Sequence, residues 1–85
     1  MTYRPPTSAA VRRFLKAHGL TGSQAARQAY LSGGPAVRKY TNPNQPHRVS
    51  GAVWFAWHAH LLLDAAVIAQ IEAAMAMSAE ASDPT

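Results

Sequence analysis

The chain has no cysteine, which excludes disulfide staples and thiolate metal sites and suits a reducing cytoplasm. It has no basic leader followed by a secretory apolar core. Its alanine-rich and leucine-rich runs are broken by histidines, Asp64, Gln70 and Glu72, so neither export nor a membrane span is expected. The alternating apolar pattern of a half-buried strand is sustained nowhere, which leaves helices. Carboxylates are missing before Asp64 and cations are missing after Arg48. That double absence divides the chain into two electrostatic ends.

Residues 1–63 carry +8 and residues 64–85 carry −4, giving the net +4. A face built from the first part attracts a polyanion at long range, whereas the second part does not. Nucleic acid is therefore the leading partner class, although charge alone does not separate DNA from RNA or an anionic membrane. The 85 residues allow one small domain of modest stability. Hydrophobic residues make up 48% of the chain, enough for a core, and dimerisation would enlarge what is buried.

The expected fold is all-α, a compact bundle of about five helices. Residues 1–7 read as a flexible arm because Pro5 and Pro6 oppose a regular start. Thr7 or Ser8 can cap a first helix that ends before Gly19 and carries the stripe Val11, Phe14, Leu15, His18. Thr21-Gly-Ser-Gln24 has the spacing of a capping box, and Ala25, Ala26 and Ala29 let a neighbouring helix come close. Tyr30 to Gly34 breaks that helix, and Pro35 suits the first turn of the next. Val37 and Tyr40 can then be buried while Arg38 and Lys39 stay exposed.

Residues 41–49 read as a loop, after which Ser50 caps a helix to about Leu63. In that helix Trp54, Trp57, His58 and Leu61 form one stripe, and Phe55, Ala59 and Leu62 cover another, so the helix is expected to be central to the core, since a solvent-facing position would expose too much aromatic surface. Asp64 is a candidate cap for the last helix. Its stripe of Val67, Ile68, Ile71, Ala74 and Met75 is expected partly to close the core and partly to meet a second subunit. Residues 64–80 are thus a core-closing and dimerisation helix, residues 8–63 the main body, and residues 81–85 a fraying tail.

Two short helices joined by a turn, with cations on the second, make a helix-turn-helix candidate. Arg38 is the first choice for a base contact, since arginine bonds guanine in pairs, and Lys39 is the second. Gly34 and Ala36 would allow close approach to the groove. Thr21, Ser23, Gln24, Arg27, Ser32, Arg48 and Arg4 are phosphate candidates, with His47 beside Arg48. Val67, Ile68, Ile71 and Met75 are the dimerisation candidates.

The passage Gly19-Leu-Thr-Gly-Ser-Gln-Ala-Ala-Arg27, followed by Val37-Arg-Lys-Tyr40, resembles the helix-turn-helix of small lambda-repressor-like transcriptional regulators. The size and the helix from Trp54 to Leu63 are similar, more narrowly, to plasmid Kor-type repressors and phage-associated autoregulators. The resemblance covers roughly residues 8–63. It implies a cytoplasmic, cofactor-free homodimer that binds operator DNA in bacteria, phages or plasmids and associates with the nucleoid when bound. Thr21 and Gln24 match the opening of the supporting helix, Ala26 a close-packing position, and Val37 a core position of the recognition helix. Arg38 and Lys39 fall in its reading region and Tyr40 at its terminal aromatic. The segment Tyr30 to Pro35 departs from the pattern, whose turn often has glycine earlier and is about one residue shorter.

Two other classes compete. His58 and His60 lie beside Trp57, but residues two apart on a helix diverge and no cysteine is available, so neither an enzyme nor a metal site is expected. A small helical adaptor that modulates another DNA-bound regulator accounts for the apolar last helix, yet leaves Arg38 and Lys39 without a task.

Overall fold

Thr7 starts the first helix because its hydroxyl accepts from the Ala10 N–H at 3.1 Å, satisfying a donor that the helix cannot pair internally. The computed structural model describes residues 2–44 and 47–81. These residues form α1 (Ser8–Ala17), α2 (Gly22–Gln28), α3 (Gly34–Thr41), α4 (Gly51–Leu62) and α5 (Ala65–Ala81), with no strand among them. The all-α expectation is met. Ser50 caps α4 by accepting from the Val53 N–H at 3.2 Å. At α5 the Asp64 carbonyl accepts from the Ile68 N–H at 3.0 Å. Apart from the backbone of Ala81, the expected tail lies outside the described residues.

The first two helices end in the same way. After α1, Gly19 takes φ +63°, its N–H donates to the Lys16 carbonyl, and that of Leu20 to the Leu15 carbonyl. After α2, Tyr30 takes φ +59°, its N–H donates to the Arg27 carbonyl, and that of Leu31 to the Ala26 carbonyl. Both are Schellman ends, for which a left-handed residue is required and glycine is the least strained choice. Tyrosine at the second turn therefore holds an uncommon backbone state, which no pattern of apolar residues announces.

The core consists of Val11 and Leu15 from α1, Ala25 and Ala26 from α2, Val37 from α3, Val49, and Val53 and Trp57 from α4. Ala25 and Ala26 are small enough for α4 to press against α2, and the Trp57 indole reaches the Ala25 carbonyl at 2.8 Å. Val37 anchors α3, which packs against both α2 and α1. Phe14 lies between α1 and α4 with its ring 5.0 Å from Trp54 and 4.7 Å from His58. Val49 is 1% exposed, so the segment read as a loop also contributes to the core.

Residues 2–7 lack regular structure, and the Tyr3 hydroxyl donates to the Val49 carbonyl. The expected burial of the α4 stripes is corrected. Leu61 is exposed rather than in the core, and Phe55 and Leu62, at 75% and 83% exposure, cover nothing. The cause is α5, which leaves these side chains uncovered. Among residues 65–80 only Ile68 is half-buried: Leu63 leaves α4 in an extended conformation and α5 packs extensively on no other helix. The Cα radius of gyration is 14.4 Å. The closest packing lies among α1 to α4, with α5 on their flank.

Candidate nucleic-acid interface

The leading ends of α2 and α3 meet through two glycines. A β-carbon on Gly22 would stand 3.4 Å from the Gly34 Cα, and one on Gly34 would stand 3.8 Å from the Ser23 nitrogen and 3.9 Å from its Oγ. Gly34 is therefore engaged at the helix junction, with Ser23 exposed beside it. α3 starts at Gly34, with Gly33 as its cap residue, one residue before the sequence pattern places it.

The Thr21 capping box forms as expected. Thr21 Oγ1 accepts from the Gln24 N–H at 3.1 Å, and Gln24 Oε1 accepts from the Thr21 N–H at 2.9 Å. Gln24 keeps its amide NH2 for a ligand, and Thr21 its hydroxyl hydrogen. Along α3, Val37 is buried and Tyr40 half-buried, while Pro35, Arg38 and Lys39 are exposed and Ala36 lies at the flank. Arg38 and Lys39 occupy the last turn of α3, where the helix dipole favours cations. Pro35 and Ala36 lie at its leading end, with Ser32 exposed just before the Gly33 cap.

Cations converge on the trailing end of α3, a gathering that sequence order does not disclose. Arg12 from α1 donates to the Thr41 carbonyl at 2.9 Å, and the His47 N–H donates to the Lys39 carbonyl at 3.1 Å. The chain after α3 thereby folds back and puts exposed Arg48 near the same end. Arg48 and His47 line a shallow depression of about 420 Å3 with Pro5, Pro6, Thr7 and Ser8. The Tyr3 to Val49 bond sets the strand of chain carrying Arg4 beside the one carrying Arg48. Arg12 was missed at the sequence level; its signal was a place off the apolar stripe of α1.

Other candidates lie elsewhere. Gln24 and Arg27 line a depression of about 400 Å3 with Leu20, Gln28, His60 and Glu72, on the side of α2 that faces α4 and α5 rather than α3. Val67, Ile71 and Met75 are exposed on α5. Ile71 and Met75, with Ile68, edge a groove of about 240 Å3 whose other wall includes Phe55, Ala59 and Leu63. Across its rim the Tyr30 hydroxyl donates to Glu72 Oε2 at 2.6 Å. The hydrogen bond to Glu72, then desolvation, then the carboxylate charge raise the Tyr30 pKa above its ordinary 10.0.

His58 and His60 turn their Nδ1 atoms to the carbonyls of Trp54 and Ala56, at 2.8 and 2.9 Å, on their own helix. No group of three or more His, Cys, Asp or Glu side chains suited to a metal ion exists among the described residues. Nor is any helix among them long and apolar enough to cross a membrane. Comparison with protein-family profiles, with curated proteins and with solved structures finds no match.

Proposed function

We propose that this chain is a sequence-specific double-stranded DNA-binding repressor that acts as a homodimer at a pseudo-palindromic operator. In this reading α2 and α3 form a helix-turn-helix, with α2 supporting α3 in the major groove. The observation that carries it is the two-sidedness of α3: Val37 is held in the core while Arg38 and Lys39 stay exposed on the same helix. A helix fixed on one side and cationic on the other can present donors to base edges without losing its support. Arg48 and Arg4, and Ser23 at the glycine junction, would contact phosphates and set the register. Arg27 would reach only the backbone, from the far side of α2.

Two such helices related by a two-fold axis would read half-sites about 34 Å apart. The action is physical: occupancy of the operator excludes polymerase or another regulator, and no cofactor takes part. DNA of the cytoplasm is the corresponding place of action. Selection of purified protein against a random duplex library tests the proposal. A reproducible motif with inverted symmetry, bound less tightly as salt rises, is the expected result, and failure to enrich any motif sinks it.

A second reading has one observation in its favour, the exposed apolar groove between α4 and α5. It makes the chain a helical adaptor for another DNA-bound regulator. Enrichment of a duplex motif by the protein alone decides against it.

A further inference from the structure

The molecule leaves one large surface uncovered, and it is apolar. Phe55 and Leu62 on α4, Leu63 between the helices, and Val67, Ile71 and Met75 on α5 are all exposed. Phe55, Ala59 and Leu63 line both the groove beside α5 and a second apolar hollow that reaches His58 and Leu62. The surface is thus continuous across the two helices. A monomer seldom tolerates a contiguous apolar patch of this extent without a partner.

We infer that a second copy of this chain covers this face, laying its own α5 along the groove between α4 and α5. Three observations select that occupant. The first is charge: every lysine and arginine precedes Arg48 or is Arg48 itself, so α4 and α5 form a cation-free face. Two chains of net charge +4 repel through their basic faces, whereas the groove lining carries a single carboxylate, Glu72, which already accepts from Tyr30. A membrane is a poor occupant for the same reason, because interfacial helices hold anionic lipid with lysine and arginine that α5 lacks.

The second observation is extent. α5 has 17 residues, about 25 Å of helix, and with the exposed part of α4 it provides a face on the order of the 800 Å2 per partner buried in a standard interface. The third is self-complementarity. Ile68, Ile71 and Met75 follow the alternating three- and four-residue spacing of a helix-pairing seam, and Ala69, Ala73, Ala74 and Ala76 leave its flanks thin. A two-fold pair uses the same patch twice, which this seam and groove allow. The Tyr30 to Glu72 bond holds α5 at a fixed distance from the body and keeps the groove open to the incoming helix.

This inference deepens the homodimer of the proposed function but rests on the apolar face, not on the DNA-reading residues. Its test uses the full chain without nucleic acid, so failure of DNA recognition leaves it standing. Sedimentation equilibrium should report twice the 9.1 kDa chain mass at micromolar concentration. Ile71→Asp and, separately, Phe55→Asp should each weaken association by about tenfold or more, whereas Arg13→Glu on the basic body should not weaken it. If Ile71→Asp lowers helix content by circular dichroism, Phe55→Asp carries the test from the well-packed α4. A chain that stays monomeric to about 100 μM, or a dimer indifferent to Phe55→Asp, overturns the inference.

Discussion

The Trp57 indole N–H donates to the Ala25 carbonyl at 2.8 Å, so the largest fully buried side chain ties α4 to the backbone of α2. This bond holds the helix pair proposed to meet DNA against the element that carries the apolar face. The same carbonyl also accepts from the Ala29 N–H at 3.3 Å, so removing the indole donor does not leave it unpaired. Trp57→Phe should therefore lower unfolding free energy by about 1–3 kcal/mol, from one lost hydrogen bond and a partly refilled cavity. Trp57→Ala should lose about 3–5 kcal/mol, much of what a domain of this size possesses. Urea unfolding followed by circular dichroism measures both, and equal midpoints for Trp57→Phe and the parent would refute the role of the bond.

Arg38 and Arg48 should separate in their effects on binding. If Arg38 reads a base, Arg38→Ala reduces discrimination between matched and mismatched duplexes by about 1–3 kcal/mol. Arg48→Ala should weaken both duplexes alike and lower the steepness of the salt dependence. Titration of each variant against the selected operator and a single-mismatch duplex decides the matter. Equal losses for Arg38→Ala on both duplexes would make Arg38 a phosphate contact.

What the sequence made legible was local. The Thr7, Thr21 and Ser50 caps involve partners three residues apart, and the Gly19 stop and the Val37 anchor follow from backbone preference and helical period. Val49 was hidden because its burial, in one cluster with Val11, Leu15, Val53 and Trp57, is tertiary packing of a loop residue, which no period encodes. Tyr30 was hidden because tyrosine gives no hint of a left-handed backbone. Arg12, Arg48 and Lys39 converge only once α1 crosses α3 and the following loop folds back. The placement of α5 was not legible for another reason: with alanine over much of its circumference, its apolar stripe does not say which neighbour it faces.

Gly34→Ala should separate stability from binding. Its β-carbon would meet nothing closer than 3.8 Å, and alanine is favoured over glycine within a helix by roughly 0.5–1 kcal/mol. Thermal stability should be unchanged or slightly raised. The same methyl lies over the Ser23 nitrogen and hydroxyl, at the junction proposed to approach the phosphate backbone, so operator affinity should fall. A variant that is as stable as the parent and binds as tightly would place the α2 to α3 junction away from DNA.

Tyr30 and Glu72 predict a pH dependence confined to alkaline solution. The Tyr30 hydroxyl ionises above 10.0 in the folded chain because its neutral form donates to the Glu72 carboxylate. Its contribution to stability is fully present below the unfolded value of 10.0 and is lost as pH rises through the raised folded value. Beyond that point phenolate and carboxylate repel, and the link between the end of α2 and α5 opens. Glu72→Gln removes the charge and should bring the Tyr30 titration back toward 10.0, read from near-ultraviolet tyrosinate absorbance after subtracting the Tyr30→Phe curve. Neither substitution should shift the unfolding midpoint in acid relative to neutral pH by way of Tyr30, since the phenol is neutral throughout that range. An unchanged Tyr30 titration in Glu72→Gln would show that the carboxylate does not hold the hydroxyl in solution, and that α5 owes its position to the groove alone.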